Sequence, residues 1–183
     1  MKCRAEVKER FSEINLVGRS LGPYAEGEEV LLRPWEISIL REEGLVEPVE
    51  DFSTVGIRKR LMSERKSSQL EDLSSGFYQM VEMRITELLD KGENEEVENM
   101  RDVLNSLINL RVQKIAKIVA SSISPKDMPP MEMLLVNKLS KSLAAWKERL
   151  GRILDRSEKE EVGAPDREIR RSIQRIVGDT TDI

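Results

Sequence analysis

Histidine is absent from the 183-residue sequence, and cysteine occurs once, as Cys3. Without histidine the chain lacks the commonest general base and metal ligand, which excludes the catalytic triads that depend on an imidazole. A single cysteine excludes an internal disulfide framework and any metal site built from several thiolates. Aromatic residues make up 4% of the chain and charged residues 35%, a balance that favours a helix-rich protein over a β-sandwich.

A strong charge of either sign is also lacking. Acidic residues outnumber basic ones 34 to 30, a net charge of −4, so a nucleic-acid footprint over the whole protein is excluded while a local basic patch is not. No apolar run reaches the ~18 residues of a membrane-spanning helix. The first residues, MKCRAEVKERF, lack the apolar segment of a signal peptide. We therefore expect a cytoplasmic protein with no membrane contact.

The motifs of common enzymes are missing as well, among them the phosphate-binding glycine loop, the dinucleotide fingerprint and the nucleophile elbow. Acidic pairs such as Glu42-Glu43 and Glu160-Glu161 lie in hydrophilic surroundings. A catalytic carboxylate pair needs desolvation to separate its two pKa values. We predict that the chain is not an enzyme, with no catalytic residue, no metal and no cofactor.

The first fifty residues have the pattern of a small α/β domain. Residues 2–8 alternate polar and apolar, as a half-buried strand does, and Val30–Leu32 is a second apolar run. Pro34 suits the first turn of a helix that Gly44 ends, and a closing strand follows. We expect Trp35, on this helix, to pack in the core rather than to bind a ligand.

Residues 51–155 have the pattern of about four helices. Ser53 or Thr54 is placed to cap the first, which runs to about residue 67, and the second begins near Leu73 and ends near Lys91. The third covers about residues 95–123. The fourth has apolar residues at helical spacing that we interpret as core, namely Met131, Leu135, Leu139, Leu143, Trp146, Leu150 and Leu154.

The third helix is apolar on most of its circumference, which predicts burial on most sides. In a domain of this size it is either the central helix or a subunit interface. We predict that the interface is formed by Val103, Leu107, Leu110 and Val112. Arg111 lies on the main apolar stripe, and we predict that it is largely buried and paired with a carboxylate, Glu82 or Glu132. The alternative is that its stem packs while its guanidinium reaches water.

The last segment, residues 156–183, is a polar linker followed by a short basic amphipathic helix, Pro165–Gly178. It is too short to be stable alone, so either a partner protein orders it or it packs within the oligomer. The residues that would dock on a partner are Ile169, Arg170, Arg171, Ile173 and Arg175.

Two motifs resemble a known family. The run SSQLEDLSSGFYQMVEMRI, followed by LINLRVQKIAKIVA, is similar to the helical A domain of the GINS DNA-replication complex. The run LGPYAEGEEVLLRPWEISILREEGLVEP is similar to its small B domain, here preceding the A domain as in one archaeal type. The positions that carry the resemblance are Trp35, Phe77, Tyr78, Arg111, Lys114 and Ile115.

The resemblance implies a mainly α fold, with a small α/β B domain over residues 1–50 and a helical A domain over residues 51–155. It implies a non-catalytic scaffold in a homo- or heterotetramer of GINS subunits, associated with the nucleoid in a prokaryotic cell. The partners that it implies are the MCM helicase, which the complex activates, a RecJ-like protein, and primase or polymerase, with weak or indirect DNA contact. Two alternatives stay open, a DNA-binding helical module and a helical adaptor unrelated to replication.

Overall fold

The computed structural model describes residues 1–16, 18–121 and 128–162, with side chains described as far as residue 154. The fold is mainly helical, with a small strand-rich region before a helical bundle, as predicted. The elements in chain order are β1 (Cys3–Val7), β2 (Ile14–Leu16), β3 (Arg19–Leu21), β4 (Glu29–Leu32), α1 (Pro34–Glu42), β5 (Val46–Pro48), α2 (Thr54–Lys66), α3 (Phe77–Asp90), α4 (Asn94–Ala120) and α5 (Pro130–Val162).

The strand-rich region contains an antiparallel sheet with strand order β4–β1–β5, and a separate β2–β3 ribbon. Alternate residues of β1, namely Cys3, Ala5 and Val7, are buried, which confirms the alternating pattern read from the sequence. Helix α1 begins at Pro34, where the missing N–H leaves no hydrogen bond unmade. Trp35 is exposed, so the expectation that it packs in the core is wrong.

The helix starts follow the local chemistry of the chain. Ser53 caps α2, since its side chain accepts a hydrogen bond from the backbone N–H of Gly56 at 3.2 Å. At the start of α3, Gly76 lies so close to the strand-rich region that an added Cβ would be 2.5 Å from Cys3 Sγ. The rings of Phe52 and Phe77 are 5.9 Å apart beside this point. Residues 1–50 and the bundle therefore share one hydrophobic core.

The chain divides into two compact units, Met1–Leu139 and Ser140–Ile183. In the second unit the structure describes only the remainder of α5, through Val162. The predicted domain boundaries at residues 50 and 155 stay predictions. None of the helices in the described ranges is long and apolar enough to cross a membrane. The predicted docking helix Pro165–Gly178, with its five named residues, lies outside the described residues.

The fourth predicted stripe lies on α5, but it is not a core stripe throughout. Leu135, Leu139 and Leu143 are partly buried. The other members are exposed, namely Met131, Trp146, Leu150 and Leu154. The interpretation of this stripe as core is wrong for these exposed members. Helical periodicity shows that a helix has an apolar face, but not whether the same chain covers that face.

Candidate functional site

The first candidate site is a charged network inside the bundle, centred on Arg111 of α4. The Arg111 side chain is 1% exposed. Its Nε and Nη2 donate to the two oxygens of Glu132, on α5, at 2.6 and 2.7 Å. Its Nη1 donates to Glu64, on α2, at 2.5 Å and to the Glu71 carbonyl at 2.8 Å. Both carboxylates are themselves buried, so neither could be left without its cation at low cost.

Lys114, one helical turn after Arg111, extends the network to the segment that connects α2 with α3. Its Nζ donates at 2.6 Å to a carboxylate oxygen of Glu64 and also to that residue's carbonyl. A third bond goes to the carbonyl of Gln69 at 2.7 Å. Arg111 and Lys114 thereby satisfy backbone carbonyl groups of the irregular segment between α2 and α3, at Glu71 and Gln69.

Tyr78 of α3 completes the network, with its hydroxyl donating to Glu132 at 2.5 Å. Burial raises the pKa of Tyr78, and the hydrogen bond to Glu132 raises it further. For Arg111, burial acts to lower the pKa, but the hydrogen bonds and charge of Glu132 outweigh this and the pKa is raised. With two cations and two carboxylates the network is neutral, and each charge is paired. Such an arrangement fixes the helices relative to one another rather than activating a proton or a nucleophile.

The prediction that Arg111 is buried and paired with a carboxylate is confirmed, with Glu132 as a partner. Glu82, the other candidate, is exposed. Sequence reasoning missed Glu64, although a signal was present. Glu64 follows the buried Ile57 by seven residues, which is two helical turns, and therefore lies on the buried face of α2.

The four residues predicted to form the subunit interface on α4 have different environments. Leu107 is fully buried inside this chain, and Val103 and Leu110 are partly buried against the same core. Val112 is exposed. It lines an open, mainly apolar cavity of about 230 Å³ together with Tyr78, Ile108, Ile115, Met131 and Leu135. The interface stays a prediction, and Val112 is the member that a second chain could reach.

A second candidate site is the exposed apolar stripe on the later part of α5. We define the α5 stripe as Leu143, Trp146, Leu150 and Ile153. The exposed fractions of the last three are 58%, 38% and 59%, while Leu143 is half-buried. Their spacing of three, four and three residues places them in one row along the helix. Soluble proteins rarely leave a large aromatic and its apolar neighbours in water unless another surface covers them.

The edges of the α5 stripe are basic. Helical geometry places Lys147 along one edge and Arg149 along the other. Glu148 lies on the far side of the helix, where it is 3.0 Å from Arg152. The second unit, described by itself, thus presents an apolar row between two cations.

The comparison with protein families decides the identity of the bundle. The model of the GINS complex protein helical bundle domain (Sld5) matches residues 52–151, which is more than half of the chain. The chain belongs to the GINS family. No curated protein matches it significantly.

GINS membership makes this chain a subunit of a DNA-replication complex that assembles with other GINS subunits. The family consists of non-catalytic scaffold subunits. The matched region begins at Phe52 and contains the whole Arg111 network and the α5 stripe apart from Ile153. Four of the positions that carry the resemblance are buried here, namely Phe77, Arg111, Lys114 and Ile115.

Among the described residues, no group of three or more cysteine or acidic side chains is arranged to hold a metal ion. Inside the bundle, the buried carboxylates of Glu64 and Glu132 both pair with Arg111.

Proposed function

We propose that this chain is the archaeal-type GINS subunit in which the small B domain precedes the helical A domain. In this proposal it assembles into a GINS tetramer that binds the MCM helicase and a RecJ-like protein and activates the helicase. Primase or polymerase is a further contact of the assembled complex. Membership of the GINS family supports the assembly, and the order of the strand-rich region and the bundle supports the B-before-A type.

The observation that carries the proposal is the exposed α5 stripe. A scaffold subunit acts by presenting surfaces to other chains, and the buried network already fixes the helices that form its body. Trp146 is the kind of residue that contributes most to a protein interface, because it brings a large apolar area with little loss of conformational entropy. The α5 stripe is therefore the surface through which we expect another GINS subunit to bind.

The experiment is a co-purification of the tagged full chain with the other GINS subunits and the MCM helicase of the same organism. We expect Trp146→Glu with Leu150→Glu to remove the GINS subunits and, with them, the helicase. The matched control is Ala145→Glu, which adds a charge to an exposed position away from the stripe. Wild-type chain that retains no MCM, although the GINS subunits are bound, would contradict the helicase part of the proposal.

A second candidate function, weak DNA contact, is favoured by one face of α2. Arg58, Lys59, Arg65 and Lys66 are exposed, and none of the described carboxylates forms an ion pair with them. Four phosphate contacts would make the logarithm of the affinity fall with the logarithm of salt concentration with a slope of about −3.6 for duplex DNA. Filter binding over a salt series measures this slope. A slope that is unchanged when the four residues are replaced by glutamine would remove this candidate.

A further inference from the structure

We propose that the α5 stripe binds an amphipathic helix of a different chain, in which the apolar row is bordered by carboxylates. This rests on the proposed function, since it specifies the partner of the same surface. The partner is defined here by its chemistry, an apolar seam with acidic edges, rather than by its name.

The spacing of the α5 stripe matches a helical partner. Leu143, Trp146, Leu150 and Ile153 alternate in steps of three and four residues. This is the repeat with which one helix packs lengthwise against another, each apolar side chain fitting between those of the facing helix. A strand or an irregular loop offers no equivalent row over this length. The spacing of the α5 stripe therefore favours a helix as its binding partner.

The charges at the two edges of the α5 stripe determine which helices can bind to it. Lys147 and Arg149 stand on its two edges, and neither forms an ion pair with any side chain that the structure describes. Glu148 is the one carboxylate between residues 139 and 154, and its position next to Arg152 takes it away from the seam. Residues at such edges determine which helices pair, because opposite charges attract across the seam and like charges repel.

A second copy of this chain is a poor occupant by the same criterion. It would bring Lys147 and Arg149 again, and its one carboxylate between residues 139 and 154, Glu148, lies away from the stripe. The predicted helix Pro165–Gly178 of this chain also adds positive charge, with four arginines against two acidic residues. A separate chain with acidic edges satisfies both the apolar row and the two cations.

The chain itself supplies a probe with acidic edges. The double variant Lys147→Glu with Arg149→Glu keeps the α5 stripe and reverses its borders. Both residues are exposed, so the variant should fold, which circular dichroism checks. Sedimentation equilibrium is measured on wild type alone, on the variant alone, and on their equimolar mixture. We expect the mixed pair to associate at least about tenfold more tightly than either chain with itself, and the preference to shrink at high salt.

Two controls identify the surface. Lys141→Glu with Arg152→Glu makes the same change of charge on the far side of α5, and its mixture with wild type should show no preference. Trp146→Ala in both partners should abolish the mixed pair, because the seam loses its largest apolar residue.

Three outcomes would overturn the inference. Wild type that pairs with itself as tightly as with the variant would make a second copy the occupant. Association that appears only after residues 163–183 are removed would mean that the chain's own end covers the stripe. A mixture that stays monomeric would show that acidic edges do not suffice. If GINS subunits still co-purify through Trp146 in any of these cases, the proposed function stands and only the acidic partner is wrong.

Discussion

The Arg111 network and the α5 stripe reverse the usual placement of charged and apolar side chains. Arg111 is 1% exposed and lies within the bundle, whereas Trp146 is 58% exposed on the later part of α5. Each placement is costly for the isolated chain unless something compensates for it. In the network the compensation is present, because Glu64 and Glu132 pair with the cations. At the stripe Trp146 stays exposed among the described residues, and we propose that another chain covers it on assembly.

The largest expected effect is on the network. Arg111→Ala would leave the buried carboxylates of Glu64 and Glu132 without their main partner, and should lower the free energy of unfolding by about 3–5 kcal/mol. The measurement is urea unfolding followed by circular dichroism. The matched control is Arg101→Ala on the same helix, where an exposed pair with Glu98 at 2.7 Å is removed. We expect a loss below about 1 kcal/mol there. Equal losses in the two variants would contradict the role of burial.

The next largest effect is on stability, and it is expected to differ in sign between alanine substitutions at two glycines. In Gly76→Ala the new Cβ would lie 2.5 Å from Cys3 Sγ and 3.1 Å from Pro34 Cγ. The buried Cys3 side chain or the backbone around it has to move, with a loss of about 1–3 kcal/mol. In Gly151→Ala, on α5, the Cβ would meet nothing within 4 Å. Alanine favours the helix, and we expect a gain of up to about 1 kcal/mol. Thermal melts of the two variants test this. A Gly76→Ala protein as stable as wild type would mean that the strand-rich region is held only loosely against α3.

A smaller effect concerns pH. The folded protein raises the pKa of Tyr78, chiefly through burial and then through the hydrogen bond to Glu132. Because the folded state favours the protonated phenol, this contribution to the free energy of unfolding is fully present below the unfolded pKa of about 10. It is lost as the pH rises above that value. Tyr78→Phe should therefore lose less stability than wild type between pH 9 and pH 11. Urea midpoints at the two pH values measure the difference. Parallel losses in both proteins would show that the phenol does not titrate with unfolding.

The helices and the burial of Arg111 were predictable because local chemistry determines them. Ser53 can cap a helix wherever it precedes one, and a charged residue between Ile108 and Ile115 on an apolar face has to be paired if it is buried. Its second carboxylate, Glu64, depends on how α2 packs against α4, which periodicity does not specify. The same limit explains the errors at Trp35 and Trp146. Both have apolar neighbours at helical spacing, but tertiary packing decides which face of a helix is covered.

Hydrogen exchange of the backbone amides tests the central claim most directly, namely that the α5 stripe is covered in the assembly and the Arg111 network is complete without it. It is measured on the chain alone and on the chain bound to the other GINS subunits of the same organism. We predict that exchange slows on binding over residues 143–153, while α4 around Arg111 is protected equally in both states. Unchanged exchange along α5 in the assembled complex, or protection of α4 that appears only on assembly, would contradict the account.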